Sequence, residues 1–353
     1  MSPDAPPRRI LPLLACCLLA LLGPGAAIAG AKAKAKPKPD VTIMSRNLYL
    51  GADIIQLASA PDLAVEKTKA ATLFQTVERT NFPLRAKAIA REIALTKPDV
   101  IGLQEVARYY RSADATPGQA AKRPLYDWMA LLQRQLKAQR QSYRVAAEQT
   151  ELDITVPSAA GYGLRLKLGN AVLVRTGRGA RVSGVRRLSG QFTDQLRVTL
   201  PSGAVDLHRG YAGIDGRVAG RRFRFLDPHA EAYSASSAKG QFQQLLRGAA
   251  RSRTLPTIIA GDFNSDPADP EPNAYRAVAG AGFVDTGRRV ATCCQNELVN
   301  NPRSELKTWI DHIVVRPRAR VLRTRVIGNR PADRIRGLWP SDHAGVVATI
   351  RLP

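Results

Sequence analysis

The sequence predicts a single α/β domain over residues 41–353, and three observations support this prediction. Apolar runs of strand length alternate with segments whose apolar residues recur at helical spacing. Between residues 143 and 207, strand-like runs are separated by Gly and Pro turns, which favours antiparallel strands and hairpins over βαβ units. No internal repeat and no change of composition divides the chain, so its 353 residues, 44% of them apolar, suit one large core.

The first 40 residues precede this domain. Residues 1–29 are typical of an export signal, because two arginines precede an apolar run at 10–22 that is short for a bilayer span. A membrane anchor, a lipoprotein signal ending at Cys16 and a twin-arginine route are the alternatives. Residues 30–40 alternate Lys with Ala and Pro and predict a flexible basic linker. We therefore expect a secreted or periplasmic protein.

The charge of the chain is strongly positive. Lys and Arg outnumber Asp and Glu by 53 to 29, which gives a formal charge of +24. Such a charge favours anionic partners, namely nucleic acid, phosphorylated small molecules or an acidic membrane surface. An Arg-rich source genome is the alternative explanation, and the sequence gives no sign of an obligate protein partner.

Only two cysteines follow the predicted signal, Cys293 and Cys294. Adjacent cysteines provide no disulfide framework, and their spacing fits no zinc site. We favour a vicinal disulfide over a buried thiol pair because export to an oxidising compartment is expected.

Strands and helices are predicted in turn along the first half of the chain. A strand is expected at 41–47, where alternate residues share a face, and a helix at 83–95, where apolar residues recur at helical spacing. The apolar run at 100–106 predicts a buried strand. A longer amphipathic helix is expected at 125–141, before the antiparallel strands.

The second half repeats this alternation. Strands are expected at 222–226, 257–261, 308–315 and 345–352, and the helix at 239–253 leads directly into the second of these strands.

Polar side chains stand at the ends of most of these strands. Asp262 and Asn264 lie two residues apart in GDFN, so in extended chain they would point to one face. On the strand at 308–315, period two turns His312 away from Asp311, which predicts a packed or capping histidine. Polar groups where buried strands end commonly form the active site of an α/β enzyme. The candidate site residues are Asn47, Glu105, His229, Asp262, Asn264, Asp311, Asp342 and His343.

This combination of carboxylates, amides and imidazoles is typical of metal-assisted phosphoester hydrolysis. Hard oxygen ligands hold Mg²⁺ or Mn²⁺, which polarises a phosphoryl oxygen. A base activates water, and neutral or cationic donors stabilise the developing charge. The sequence lacks the HExxH motif of zinc hydrolases and the GxSxG motif of serine hydrolases.

The ordered motifs resemble the endonuclease/exonuclease/phosphatase superfamily, which includes pancreatic-type deoxyribonucleases, abasic-site endonucleases, bacterial sphingomyelinases and inositol-polyphosphate 5-phosphatases. The resemblance implies a four-layer α/β sandwich, in which two mainly antiparallel β-sheets pack face to face with helices on the outside. The matching motifs are Asn47, Gln104-Glu105, His229, Gly261-Asp262-Phe263-Asn264, Ile310-Asp311-His312 and Ser341-Asp342-His343.

The resemblance implies metal-binding residues and one departure from the family pattern. Glu105 would be the principal metal ligand, with Asn47 and Asp342 beside the metal. The family commonly has Asn-Thr-His-Leu where this chain has Asp-Pro-His-Ala at 227–230. The proline removes a backbone donor, which affects the expected placement of the histidine.

The resemblance also implies catalytic roles. Asp262 would orient or deprotonate the attacking water, and Asn264 would hold a phosphate oxygen. His343 would be the general base or a phosphate-binding imidazole, kept in one tautomer by Asp311. His229 would donate to the phosphate and stabilise the transition state.

Our leading hypothesis is a secreted, Mg²⁺-dependent phosphodiesterase, with DNA or RNA favoured as substrate by the positive charge. A sphingomyelinase or phospholipase C-like enzyme, or a small-molecule phosphatase, is the alternative, and Tyr109-Tyr110 is a candidate membrane-inserting pair. A catalytically silent anion-binding module is the alternative from another class. The intact set of acids and histidines argues against that module.

Overall fold

The computed structural model describes residues 38–114, 121–287 and 289–353. The predicted export signal and most of the predicted linker therefore lie outside the described residues. The first strand begins at Asp40, so the last residue of the predicted linker belongs to the folded domain. Asp40 is bound there by Arg351, whose Nε lies 2.7 Å from Oδ1 of Asp40. No helix in the described ranges is long and apolar enough to cross a membrane.

Regular elements follow one another closely along the described chain. The strands are β1 (Asp40–Asn47), β2 (Val100–Gln104), β3 (Arg108–Arg111), β4 (Arg123–Asp127), β5 (Tyr143–Val156), β6 (Leu164–Arg175), β7 (Val182–Gln191), β8 (Leu196–Leu200), β9 (Gly203–Leu207), β10 (Gly210–Val218), β11 (Arg221–His229), β12 (Thr257–Asp262), β13 (Val284–Asp285), β14 (Asp311–Arg316), β15 (Arg320–Ile327) and β16 (Gly345–Arg351). The α-helices are α1 (Leu63–Arg79), α2 (Phe82–Thr96), α3 (Trp128–Ala138), α4 (Ala235–Arg247) and α5 (Ala274–Gly280), and a 3₁₀ helix spans Ile54–Ser59.

Two large sheets form the centre of the domain. Within the described residues, one has the order β15-β16-β1-β2-β6-β3-β4, with β5 also paired to β6, and the other has the order β13-β14-β12-β11-β10-β7. Only the pairs β1·β2 and β11·β12 are parallel in these sheets. Strands β8 and β9 form a separate hairpin.

The apolar side chains divide into layers. Ile43 and Val172 from the first sheet pack with Phe225 and Ile258 from the second, so the two sheets face each other across one core. Helices α1, α2 and α3 pack on the outer face of the first sheet. Helices α4 and α5 pack on the outer face of the second. The fold is therefore the four-layer α/β sandwich that the resemblance implied, with two mainly antiparallel sheets inside.

Several element boundaries differ from the predictions. The helix expected at 125–141 begins at Trp128, because residues 123–127 pair with β3 and Asp127 caps the helix through Ala130 N at 2.9 Å. The helix expected at 239–253 spans Ala235–Arg247, and Gly248 follows it. Helix α1 was not predicted, although its buried residues 70, 73, 74 and 77 have helical spacing.

Strand β11 continues three residues beyond its predicted end, through Pro228 to His229. Its parallel register with β12 is interrupted between Leu226 and His229, where a proline lacks the N–H of a regular ladder. A Cβ atom at Gly261 would overlap the Pro228 carbonyl group, so this close approach requires glycine. The altered motif is thus accommodated within the sheet.

Candidate active site

Strand register brings three predicted site residues into one row. His229 on β11 is paired with Asp262 on β12, and Asp262 is paired with Asp311 on β14. Opposite them, Asn47 ends β1 beside Gln104 at the end of β2. Because paired residues on neighbouring strands point to the same face, the ends of these strands deliver their side chains to one site.

Asp262 lies at the centre of this site. Its Oδ2 accepts a hydrogen bond from Asn47 Nδ2 at 3.2 Å and lies 3.7 Å from His343 Nδ1 and 3.9 Å from His229 Nε2. Its Oδ1 accepts from the Asn264 backbone N at 2.9 Å. Burial acts to raise the pKa of Asp262, but His343, His229 and these hydrogen bonds lower it below its usual value. Asp262 is therefore held as a carboxylate.

Asp311 and His343 form a buried pair. Nδ1 of His343 lies 2.8 Å from Oδ2 of Asp311, and the backbone N of Asp311 donates to Thr292 Oγ1 at 3.1 Å. Burial acts to lower the pKa of His343, but the carboxylates of Asp311, Asp342 and Asp262 raise it well above its usual value. The pair fixes the imidazole with Nε2 directed away from Asp311, as the resemblance implied.

Cys293 and Cys294 lie against that free nitrogen. Their sulfur atoms are joined in a disulfide, as we favoured from the sequence, and lie 3.4 and 3.8 Å from Nε2 of His343. Cys293 is buried and Cys294 is exposed. The bonded sulfurs are not thiolate ligands, so this group is a wall of the site. The sequence pattern gave no indication that the cysteines adjoin the site.

Glu105 and Asp342 are the oxygen donors best suited to a metal ion. Oε1 of Glu105 accepts from Asn47 Nδ2 at 3.0 Å and Oε2 accepts from Leu50 N at 2.6 Å. Burial and the negative charge of Glu105 raise the pKa of Asp342 to about 6. Two carboxylates that repel each other in this way match the donor chemistry of Mg²⁺ or Mn²⁺. A second possible group is Asp262, Asp311 and His343, whose donor atoms lie within 4.8 Å of one another.

Asn47 has a different position from the one expected of a metal ligand. Its Nδ2 bridges Glu105 and Asp262, while its Oδ1 accepts from Tyr49 N at 2.8 Å. The amide oxygen is thus turned toward the backbone, away from both carboxylates. Asn47 connects the metal-binding side of the site with the catalytic side.

His229 is held by a buried charged cluster that sequence analysis missed. Nη1 of Arg209 lies 2.9 Å from Nδ1 of His229, and Oε2 of Glu151 lies 3.2 Å from the same nitrogen. Arg209 also pairs with Glu151 at 2.9 Å, and Asn170 Nδ2 donates to Glu151 at 3.0 Å. Burial and Arg209 act to lower the pKa of His229, but Glu151 and Asp262 raise it overall. Despite the proline before it, His229 reaches the site.

Glu151 could not be found by alternation along its strand. Glu151 continues the period-two series of buried Ala147 and Gln149. However, the register of β5 shifts between Thr150 and Leu152, so the buried Leu152 next to Glu151 hides the pattern. Asn170 and Arg209 have no local sequence signal either.

Asn264 and His312 have structural contacts. Asn264 follows β12 with φ 46°, so it is not in the extended chain assumed from the sequence, and its Nδ2 donates to Ala230 O at 3.0 Å. It nevertheless lines the same cavity as Asp262. His312 is buried on the other side of β14, with Nδ1 2.9 Å from Asp285 Oδ2, as a packed histidine is expected to be.

The suggestion that Tyr109-Tyr110 inserts into a membrane is wrong. Tyr109 is only 5% exposed and its hydroxyl donates to Leu50 O at 2.7 Å. The guanidinium of Arg165 covers the ring of Tyr110, with Cζ of Arg165 5.6 Å from the centre of the ring. Neither ring belongs to an exposed hairpin tip.

Arg85 fixes the two loops that carry site residues. Its buried guanidinium donates to the carbonyl oxygens of Leu48 at 2.8 Å, Tyr49 at 3.1 Å, Thr80 at 2.8 Å and Pro340 at 3.0 Å. Leu48 and Tyr49 follow β1, and Pro340 precedes the Ser-Asp-His motif at 341–343. One cation therefore joins both sides of the site.

The site forms one end of a cavity of about 350 Å³. At this end the lining residues are polar, and beyond it the walls are apolar. The polar lining includes Glu105, Arg209, His229, Asp262, Asn264, Asp342 and His343.

The four-layer sandwich, with Asp262 and Asp311 beside His229 and His343, is the arrangement expected of a phosphoester hydrolase. The sequence model of the endonuclease/exonuclease/phosphatase family matches residues 73–343. The chain belongs to that family, whose members are phosphoester hydrolases and generally depend on a divalent metal.

Solved structures show the same fold at low identity. A mannosyl-6-phosphatase of Bacteroides thetaiotaomicron is 20% identical, with a TM-score of 0.55 over 88% of this chain and 100% of that one. A family protein of Beutenbergia cavernae is 23% identical, with a TM-score of 0.54 over 89% and 72% of the two chains. Humanized TDP2 of D. rerio is 17% identical, with a TM-score of 0.51 over 89% and 100%. No curated protein matches the sequence.

Proposed function

We propose that this protein is an exported, divalent-metal-dependent phosphodiesterase. The observation that supports this most directly is the buried network in which Asp262 lies between His229 and His343, with Asp311 behind His343. Such a network has proton-transfer groups and anion-binding groups at one point, as phosphoester hydrolysis requires. The features of residues 1–29 support export.

Glu105 and Asp342 would hold the metal ion, Mg²⁺ or Mn²⁺. When bound, such an ion polarises a phosphoryl oxygen and stabilises the charge that develops on the phosphate. Asn47 holds the Glu105 carboxylate from one side and the Leu50 backbone N holds it from the other. The ligand is thereby oriented before the metal binds.

The remaining site residues would manage the proton and the phosphate. In hydrolysis the oxygen of water bonds to phosphorus, the bond from phosphorus to the leaving alcohol breaks, and the alcohol oxygen takes up a proton. Asp262, which is held as a carboxylate, is placed to orient the water and accept its proton. Asp311 fixes the imidazole of His343, whose raised pKa favours the cation that would bind a phosphate oxygen. His229 and Asn264 line the cavity where phosphate oxygens would lie.

Two observations favour two classes of substrate. The charge of +24 favours DNA or RNA, because each neutralised phosphate adds salt-dependent affinity. The apolar wall beyond the polar end of the cavity favours a phospholipid. A panel of substrates separates the two classes.

The test uses the chain from Gly30, purified after export, with N-terminal sequencing to locate signal cleavage. Hydrolysis of bis(p-nitrophenyl) phosphate, plasmid DNA, RNA and sphingomyelin is measured with Mg²⁺, Mn²⁺ or EDTA. We expect turnover with a metal and loss in EDTA, and a decrease of at least about 100-fold in Asp262→Asn. The matched control Asp194→Asn changes an exposed carboxylate and should retain activity. Failure on every substrate, or full activity in EDTA, would contradict the proposal.

A further inference from the structure

We infer that the substrate carries one long hydrocarbon chain, and that the apolar part of the cavity binds this chain while the phosphate lies at the polar end. This inference rests on the proposed function, because it identifies what the same site hydrolyses. The evidence is the composition, volume and position of the cavity.

The apolar part of the cavity lies between α1 and the β8–β9 hairpin. Ala70, Leu73, Phe74 and Val77 of α1 form one wall, and the 3₁₀ helix Ile54–Ser59 borders it. The facing walls come from β5, β6, β8 and β9. Their apolar lining residues are Leu152, Ile154, Val156, Leu164, Leu166, Leu168, Leu196, Val198, Leu200, Val205 and Leu207.

Alternation on β8 shows that this wall is formed by one strand face. Leu196, Val198 and Leu200 line the cavity, whereas the intervening residues Arg197 and Thr199 are exposed. An amphipathic hairpin of this kind would normally bury its apolar face against a core. Here Leu200 belongs to the core cluster and Val198 packs against it, but the same face also lines the cavity, which is typical of a ligand cavity.

A hydrogen bond fastens the hairpin that forms one wall of this space. Glu66 on α1 is fully buried and accepts a hydrogen bond from Ser202 N at 2.8 Å, with the Ser202 hydroxyl as a second donor. Ser202 lies in the exposed turn between β8 and β9. The hairpin tip is thus attached to α1, which holds the two facing walls of the cavity together.

The lining argues against a nucleic acid strand in the apolar part. A polyanion buried there would need cations or open aromatic stacking surfaces along its path. Among the described residues that line the cavity, none is lysine, and Arg165 is bound by Asp153 at 2.6 Å. Phe74 and Tyr109 are only 6% and 5% exposed, so their rings are packed rather than open for stacking. An alkyl chain needs no polar partner, and its burial is favourable by about 0.8 kcal/mol per methylene.

The volume favours one chain over two. A space of about 350 Å³ lies near the lower limit of ligand pockets, which span roughly 300–1,000 Å³. The phosphate end is continuous with Asp262 and His343, so a phosphodiester that carries one alkyl chain fits the cavity at both ends.

The test measures hydrolysis of alkyl p-nitrophenyl phosphodiesters from methyl to hexadecyl, each below its micelle-forming concentration. The leaving group is constant, so changes in kcat/KM report the chain. We expect kcat/KM to rise by up to about fourfold per methylene, which corresponds to about 0.8 kcal/mol, and then to reach a plateau. A flat series would overturn the inference.

Variants that fill the cavity provide the structural control. Ala70→Leu on α1 and Val198→Phe on β8 should lower the ratio of kcat/KM for the hexadecyl substrate to kcat/KM for the methyl substrate and so remove most of the long-chain advantage. Their matched controls are Ala71→Leu and Thr199→Phe, on the same elements but outside the lining. If the filled variants keep the chain dependence of the wild type, the cavity does not bind the chain.

Direct binding separates this inference from the proposed function. Calorimetric titration with hexadecyl phosphate and methyl phosphate measures chain binding without turnover. Tight binding of the long chain without hydrolysis of any substrate would contradict the proposed function alone. Two outcomes would contradict this inference alone. One is hydrolysis that shows neither chain dependence nor binding of the long chain. The other is a preference for plasmid DNA that Ala70→Leu does not alter.

Discussion

Asp227→Asn is expected to stabilise the protein, and by more as the pH rises. Asp227 is a fully buried carboxyl at a position where the family commonly has an amide. Gln104 Nε2 donates to its Oδ1, and its Oδ2 has no hydrogen-bond partner among the described residues. Burial raises the pKa of Asp227 well above its usual value, even though the Gln104 hydrogen bond acts to lower it.

The sign of the pH effect follows from this raised pKa. In the unfolded chain the carboxyl ionises near pH 3.9, whereas in the folded protein it keeps its proton to higher pH. Folding therefore takes up a proton, and stability is lost as the pH rises from the unfolded pKa through the folded pKa. An amide cannot ionise. The free energy of unfolding of the variant, relative to wild type, should thus increase by up to about 1.4 kcal/mol per pH unit in that window.

A second contribution comes from Gln104, whose Oε1 is also buried without a partner among the described residues. The new amide can donate to it, which is worth about 1 kcal/mol at any pH. Urea unfolding between pH 5 and pH 8 measures both contributions, with Asp194→Asn as an exposed control. A stability difference that does not change with pH would mean that Asp227 is ionised in the folded protein, and would refute the reasoning.

Three further predictions concern other parts of the molecule. Arg85→Lys removes two or three of four buried hydrogen bonds, so the free energy of unfolding in urea should fall by about 3–5 kcal/mol. The control Arg91→Lys changes an exposed residue on the same helix and should lower it by less than about 0.5 kcal/mol. Asp311→Asn should reduce kcat by about 10³–10⁴, because the imidazole loses its oriented partner. It should also lower the melting temperature, since one half of a buried ion pair is removed. A reduction of kcat below tenfold would show that orientation is unimportant. Glu66→Ala should lower the free energy of unfolding by about 1 kcal/mol, the net value of a hydrogen bond whose donor Ser202 becomes open to water, and limited proteolysis should cleave the β8–β9 hairpin faster than in wild type. Equal cleavage rates would show that the contact does not fasten the hairpin.

Much of the site could be predicted because strand ends are visible in sequence. The buried strand before Asp262 and the apolar run before Glu105 placed both acids, and period two correctly separated Asp311 from His312. The fold itself came from the resemblance, since alternating strands and helices suit several α/β arrangements. The structure and the family match confirm it.

The parts that could not be predicted depend on contacts between distant segments. Glu151 and Arg209 lie 58 residues apart and meet only in the folded sheets. The direction of the Asn47 amide is decided by Tyr49 N and two carboxylates. A cavity is unfilled space between packed elements, so no local pattern on α1 or β8 reveals it.

The row formed by His229, Asp262 and Asp311 has a consequence for the opening motions of the protein. Each residue belongs to a strand inside the second sheet, and β12 is paired on both sides. Local opening usually occurs in exposed loops and frayed ends. The row lies at the ends of its strands, but all three residues are buried and paired across the sheet. We therefore expect the row to open less readily than the rim of the cavity, which includes the hairpin that Glu66 fastens.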